Sequence, residues 1–446
     1  MTGPEDAAIT PAAIRAAADR IAAAGNSKPR LARDPVNRPL IRNWLEAIGG
    51  QEGPDCLEVA PPSMIQVWTM PGLRGARTDD DPLGGMLTLL DQAGYPAIVA
   101  TNCDQVYHRY VRLGEELAVS ARLTDVTGPK RTALGEGWFV TTRSTWTSDG
   151  EPVATMDFRV LKYQPAPSRG TAAAPPSPVM RPVITQDTAY FWAGTAAGEL
   201  RVQRCGDCGT PRHPPGPRCP ACGAMNPGYV VAAGTGEVYS YVVHHHPPVP
   251  GKKLPLVIAL VELPEGVRMT GELLGAKPDE VRIGLPVRAG FVKVDDDLTL
   301  PVWRPASAMV LPPLVIDVTP TFVISAALAT RDFQDVHHDR DRAVAGGARD
   351  IFLNILTTTG LVQRYVAAWA GPDAVFRSIS VRLGVPCHAG DTLTFTGEAT
   401  TADGGGAGDE AGEQVVSVTG RCGLGDHVTA TVRLAPAGGL APEKGR

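Results

Sequence analysis

At 446 residues the chain is too long for one ordinary core, and two to four domains are expected. Its 43% hydrophobic and 20% charged content is that of a globular protein. A net charge of -5 argues against broad electrostatic capture of nucleic acid or of an anionic membrane.

The N-terminus, MTGPEDAAITPAAIRAAADRIAAAG, has no basic leader followed by an apolar core and reads as a short amphipathic helix, not a signal peptide. Next comes a long apolar helix candidate, LGGMLTLLDQAGYPAIVAT at 83–101, weakened by Gly85 and Gly94 and followed by β-rich sequence. The Pro/Ala-rich stretch 164–182 reads as a linker, and so does the shorter RPASAMVLPP at 304–313. Three blocks result: 1–165, 183–305 and 312–440. The middle block opens with a cysteine cluster and continues as GEVYSYVVHHH, PLVIALVEL, RMTGELLG, RIGLPVRAGFVKV and LTLPVWRP, short strands whose spacing suits an OB-fold barrel. Its apolar runs, such as LPLVIALVEL at 254–263, fall far short of the roughly 20 residues that span a bilayer.

The third block repeats the layout of the first. Its helix candidate is DIFLNILTTTGLVQRYVAAWA at 350–370, with Asp350 able to cap its start and Gly371-Pro372 to end it. Downstream, Gly114-Glu115-Glu116-Leu117 lines up with Gly390-Asp391-Thr392-Leu393, each set before an alternating strand. The chain therefore reads as two copies of one α+β module flanking a zinc-ribbon and OB-fold block.

Four of the eight cysteines lie within eighteen residues: Cys205 and Cys208 form one CxxC, Cys219 and Cys222 the other. Two such turns complete a tetrahedral four-thiolate site, for which Zn²⁺ fits best. A filled coordination shell makes the metal structural. Cys56, Cys103, Cys387 and Cys422 are scattered, so the division suits a metal site in a reducing, cytoplasmic setting rather than a disulfide framework. His213 lies between the two CxxC turns, but four cysteines make it unnecessary as a ligand. The run His244-His245-His246 alternates faces on a strand and converges poorly on one ion. Residues 231–312 hold eight Lys and Arg against nine Asp and Glu, without the basic stripe that a nucleic-acid groove needs.

Just before the second helix candidate lies ATRDFQDVHHDRDRA at 329–343, where Asp332 precedes His337 by five positions. This segment resembles the D-x-N-P-x-H motif of the MaoC-like (R)-specific enoyl-CoA hydratases. Asp332 and His337 match the acid and the imidazole; Gln334 and Asp335 depart from the Asn and the Pro. With DIFxNILTTTGLVQR it looks closer to the MaoC-like hydratases of bacterial steroid side-chain degradation, which act on branched steroid enoyl-CoAs.

The resemblance implies two hot-dog modules, each an antiparallel sheet wrapped around a central helix. Asp332 and His337 would hold the attacking water, and main-chain N–H groups at the start of the 350–370 helix would bind the thioester oxygen. No redox cofactor or catalytic metal is implied. The first block resembles the dehydratase-like hot-dog of the same systems; its stretch QEGPDCLEVA, between RNWLEAIGG and PPSMIQVW, contains no histidine, so this copy is expected to supply substrate walls and no chemistry. The middle block resembles the acyl-CoA-associated zinc-ribbon and OB domain that docks a thiolase-like aldolase. Parts found elsewhere as two polypeptides would here be fused, and a homodimer is expected. Two other readings remain open: a general fatty enoyl-CoA hydratase or dehydratase, and a non-catalytic acyl-CoA-binding scaffold.

Overall fold

The computed structural model of the chain describes residues 9–49, 57–75, 77–132, 134–165, 179–401 and 412–436. It divides into two compact units: residues 1–172 with 311–397 and 402–446, and residues 173–310 with 398–401.

The first unit opens with α1 (Pro11–Ala23), capped by Thr10, whose Ile14, Ala17 and Ala18 turn inward. A two-residue strand β1 (Arg30–Leu31) leads to α2 (Arg38–Ile48). Asn37 caps α2 through Leu40 N, and Gly49 ends it in the left-handed region at φ 78°. Two 3₁₀ turns follow, Pro62–Met64 and Val67–Thr69, and then α3 (Pro82–Gln92), capped by Asp81. Four long strands complete this half: β2 (Ala97–Tyr107), β3 (Ala118–Thr132), β4 (Gly135–Ser148) and β5 (Glu151–Pro165). Met86 and Leu90 of α3 pack with Ile14 of α1 and with Leu123, Trp138 and Val160 of the sheet.

The second unit begins with α4 (Ala189–Ala196) and a three-stranded ribbon, β6 (Arg201–Cys205), β7 (Pro211–Arg212) and β8 (Pro227–Val231). A closed five-stranded barrel follows: β9 (Thr235–His244), β10 (Leu256–Glu262), β11 (Arg268–Leu273), β12 (Pro286–Lys293) and β13 (Thr299–Pro305). Four of its pairings are antiparallel; β11 and β13 close it in parallel, Leu273 opposite Trp303. Gly271 makes room for the buried Trp303 ring, which a Cβ there would meet at 2.9 Å.

The chain returns to the first unit with β14 (Met309–Val318), α5 (Pro320–Ala329), α6 (Arg340–Ala345) and α7 (Ile355–Ala370). It ends with β15 (Phe376–Leu383), β16 (Asp391–Thr401), β17 (Gln414–Cys422) and β18 (Gly425–Leu434). The two halves of this unit share one ten-stranded sheet, ordered β1-β3-β4-β5-β2-β15-β18-β17-β16-β14. Its seam is the antiparallel β2–β15 pair, Ser378 opposite Val106 through Arg382 opposite Asn102. The pairing removes two sheet edges that would otherwise expose unpaired amides and carbonyls.

The repeat extends to single hydrogen bonds. Gly114 N donates to Val36 O at 2.8 Å, and Gly390 N to Val318 O at 2.7 Å. Both glycines have positive φ, 86° and 90°. The halves then diverge: beyond a bridge from Phe352 to His388 the chain enters the sixteen-residue α7 directly, whereas beyond the equivalent bridge from Val59 to Arg112 it makes two 3₁₀ turns and a detour before α3.

Three expectations need correction. The apolar run 83–101 is not one helix: α3 stops at Gln92, Gly94 turns at φ 88°, and Ala97 begins β2. The second helix starts at Ile355, with Asn354 as its cap; Asp350 instead accepts from Ile351 N and pairs with Arg340. The stretch 304–313 is no linker, since Pro305 ends β13 and Met309 opens β14. Most of 164–182 and of the slot QEGPDCLEVA lies outside the described residues. Among the described residues no helix is long and apolar enough to cross a membrane.

Candidate active site

Thr330 ends α5, and its hydroxyl donates to Ala326 O at 2.8 Å. Arg331 then takes φ 56°, a conformation that side-chain-bearing residues rarely adopt. This reversal carries Asp332 into the interior, where its N–H donates to Ala327 O. A 3₁₀ turn, Asp335–His337, brings His337 back over it. His337 Nε2 faces Asp332 Oδ2 at 3.6 Å, and each side chain is only 7% exposed.

The His337 ring is held from behind. Its Nδ1 lies 2.8 Å from Phe352 O, and its plane meets the Phe352 ring edge-on at 5.1 Å. A carbonyl oxygen only accepts, so Nδ1 carries the hydrogen and Nε2 of the neutral ring is an acceptor. Two acceptors make no hydrogen bond to each other, and a water that donates one hydrogen to each would bridge the 3.6 Å between them.

The rest of the charged run disperses. His338 Nε2 meets Phe333 O, Asp335 pairs with Arg342, and Asp339 caps α6 through Arg342 N. Beside the pair, Asn354 joins two elements: Oδ1 accepts from Thr357 N at 2.7 Å, and Nδ2 donates to Thr330 Oγ1 at 2.9 Å. The amides of Ile355 and Leu356, in the first turn of α7, have no acceptor within the helix by the geometry of any helix start, and the helix dipole adds partial positive charge there. Both residues are buried. Phe352, Asn354 and Thr330 are site residues that motif spacing does not reveal; an Asn directly before an apolar helical run is the one signal that could have found Asn354.

The four clustered cysteines converge in the other unit. Cys205 Sγ lies 3.7 Å from Cys222 Sγ, and Cys208 Sγ 3.6 Å from Cys219 Sγ. A tetrahedron with metal–sulfur bonds of about 2.3 Å has edges of about 3.8 Å, so the donor set fits a zinc ion. The two turns are near copies: Gly209 N returns to Cys205 O and Gly223 N to Cys219 O, both at 3.0 Å. Arg204 and Arg218 donate to Gly209 O and Gly223 O, again both at 3.0 Å. His213 is not among the converging ligands. His244 ends β9, with Nε2 at 2.7 Å from Pro247 O.

Paired hot-dog halves, a buried Asp–His pair beside a helix start and a four-cysteine ribbon ahead of an OB barrel define a MaoC-like hydratase carrying a ribbon/OB module. Three family models match: the FAS1-like dehydratase domain region over 25–156, the ChsH2 rubredoxin-like zinc ribbon domain over 192–226 and the ChsH2 C-terminal OB-fold domain over 229–292. The 3-oxo-4,17-pregnadiene-20-carboxyl-CoA hydratase alpha subunit of Mycobacterium tuberculosis is 51% identical over 319 residues, 68% of this chain and 99% of the relative. The beta subunit of that hydratase is 61% identical over 126 residues, 28% of this chain and 92% of the relative. A solved chain of the Ltp2-ChsH2(DUF35) aldolase is 51% identical, covering 28% of this chain and 99% of its own, with a TM-score of 0.28. The chain belongs to the family of enoyl-CoA hydratase alpha subunits that includes the mycobacterial one, and it is an enoyl-CoA hydratase.

Proposed function

We propose that the chain adds water across the α,β-double bond of a bulky, steroid-type enoyl-CoA, using Asp332 and His337 of its C-terminal half. The observation that carries this is the 3.6 Å gap between two buried acceptors, His337 Nε2 and Asp332 Oδ2. A water held by both presents its lone pair to the electrophilic β-carbon of the thioester. One of the pair takes the water's proton as the C–O bond forms, Asp332 being assigned as base and His337 as its positioning partner. Charge moves onto the thioester oxygen, where the first amides of α7 and the helix dipole stabilise it. The proton taken from the water is then returned by Asp332 to the α-carbon, which restores the carboxylate and completes the hydration.

The bulky substrate is supported by two features. One is the family relationship to a hydratase of a 3-oxo-4,17-pregnadiene-20-carboxyl-CoA. The other is the approach to the helix of the N-terminal half, where two short turns and a detour precede α3 while the C-terminal half passes directly into α7. The N-terminal half then supplies walls for the ring system. One polypeptide spans nearly the full length of both an alpha and a beta relative, and we read it as their fusion.

The four ribbon cysteines hold a structural zinc, and the ribbon and OB barrel dock a thiolase-like aldolase that consumes the hydrated product. The zinc reading is supported by the four converging sulfurs and the ribbon family match, and the docking reading by the resemblance of this block to the acyl-CoA-associated zinc-ribbon and OB domain. A homodimer in the cytoplasm completes the proposal, to be read as twice the 46.9 kDa chain mass in solution. The deciding experiment compares crotonyl-CoA with a steroid enoyl-CoA by loss of the enoyl absorbance. Faster hydration of crotonyl-CoA would favour a general fatty enoyl-CoA hydratase.

A further inference from the structure

The turn that opens β16 contains more chemistry than its fold requires. In the N-terminal half the same turn is built by Glu115, whose carboxylate accepts from Arg112 N at 3.1 Å and pairs with Arg109 at 2.9 Å. In the C-terminal half Asp391 accepts from His388 N at 2.8 Å and pairs with Arg349 at 2.5 Å. An acid and an arginine therefore suffice to make the turn. The C-terminal copy adds two thiols and an imidazole. Cys387 and Cys422 are buried, and their sulfurs lie with an Asp391 carboxylate oxygen in a group whose members are all within 4.8 Å of one another. His388 is 3% exposed. Its Nδ1 stands 3.9 Å from Asp391 Oδ2 and makes no hydrogen bond among the described residues. A buried ring nitrogen without a hydrogen bond calls for a partner.

We propose that Cys387, Asp391 and Cys422 form a second binding site for a thiophilic divalent metal, Zn²⁺, with solvent completing the shell and His388 Nδ1 beside it, 3.9 Å from Asp391 Oδ2. Two thiolates and a carboxylate suit a borderline-soft ion such as zinc, whose bonds to sulfur and oxygen run about 2.0–2.3 Å. The charges balance: two thiolates and a carboxylate are neutralised by a dication together with the Arg349 guanidinium already on Asp391 Oδ1. Asp391 Oδ1 takes that arginine and Oδ2 accepts from His388 N, which leaves Oδ2 a further lone pair for the ion.

Bound there, the ion ties the 387–391 turn to the end of β17. The same turn supports the strand that carries Phe352: Leu353 N donates to Cys387 O at 3.0 Å, and Ala389 N to Ile351 O at 2.9 Å. The site is thus a strap beneath the segment that orients His337. It shares no residue with the ribbon cysteines or with the Asp332–His337 pair.

The test is zinc analysis of the full chain purified without chelator, beside Cys387→Ser, Cys422→Ser and Cys208→Ser. We expect about two zinc ions per wild-type chain and about one in every variant. Because Cys208→Ser removes the ribbon ion alone, it should retain the new site, and Co²⁺ loading of that variant should still show a thiolate-to-cobalt charge-transfer band. One ion in the wild type, retained by Cys387→Ser and lost from Cys208→Ser, overturns the second site and leaves the ribbon reading intact. So does a Cys387–Cys422 disulfide in anaerobically prepared wild type. If Cys387→Ser fails to fold, the wild-type count and the cobalt band of Cys208→Ser still decide.

Discussion

The Trp44 ring lies so close to Gly360 that a Cβ at that glycine would fall 2.7 Å from Trp44 Cζ2. Trp44 belongs to α2 of one half and Gly360 to the buried face of α7 in the other. Replacing a mid-helix glycine by alanine ordinarily stabilises by about 1 kcal/mol. Here the tryptophan is buried and α2 is held by its own cap, so overpacking costs about 1–3 kcal/mol and outweighs that gain. Gly360→Ala should lower the thermal midpoint; a raised midpoint would show that the helix term wins and that the two helices can separate.

How far the sequence discloses this architecture varies by element. The five barrel strands, the ribbon and the second helix were readable because each carries one unmistakable signal: turn residues at short spacing, paired CxxC, or apolar residues at three- and four-residue steps. The Gly-acid-x-Leu repeat was also readable, since Gly114 and Gly390 share a positive φ and a backbone partner. The 83–101 run reads as one helix only if Gly94-Tyr95-Pro96 is passed through, and those residues turn the chain between α3 and β2. At 304–313 the prolines suggested a linker, yet Pro305, Pro312 and Pro313 all sit within strands, two of them in β14 at the sheet edge, where a missing N–H costs nothing. At the site, spacing picked out Asp332 and His337, but the contacts that orient them come from Phe352 and Asn354, fifteen or more residues away.

Asn354→Ala removes the α7 cap and the donor to Thr330 Oγ1 together. Loss of an N-cap costs about 0.5–2 kcal/mol, and Thr357 N is left buried without its acceptor, for which about 1–3 kcal/mol is typical. The two figures describe overlapping losses, so a fall in unfolding free energy of about 2 kcal/mol is expected in denaturant titrations. An unchanged midpoint would mean that another group caps α7.

His427 is buried between Thr358 Oγ1, 2.9 Å from Nε2, and Val385 O, 2.8 Å from Nδ1. Burial lowers its pKa from the ordinary histidine value, opposed by its bond to Val385 O and the Asp391 charge, with His388 adding to the decrease. A histidine with a depressed folded pKa stabilises fully above the unfolded value near 6.5, and that contribution is lost as pH falls through the lower folded value. Stability of the wild type should therefore decline below about pH 6.5, with a slope of up to about 1.4 kcal/mol per pH unit from this group. His427→Gln should be less stable near neutrality and flatter in that acid window; an equal slope in both proteins would assign the acid sensitivity elsewhere.

The central claim is that a carboxylate and an imidazole of the C-terminal half share one water beside a bound thioester. It is tested most directly by following the enoyl absorbance of a steroid enoyl-CoA with the wild type, Asp332→Asn and His337→Ala, each checked for an unchanged thermal midpoint. The account predicts rapid loss of absorbance with the wild type and turnover about 10²–10⁴ lower in each variant. Folded variants that both hydrate the substrate at near wild-type rates would contradict it.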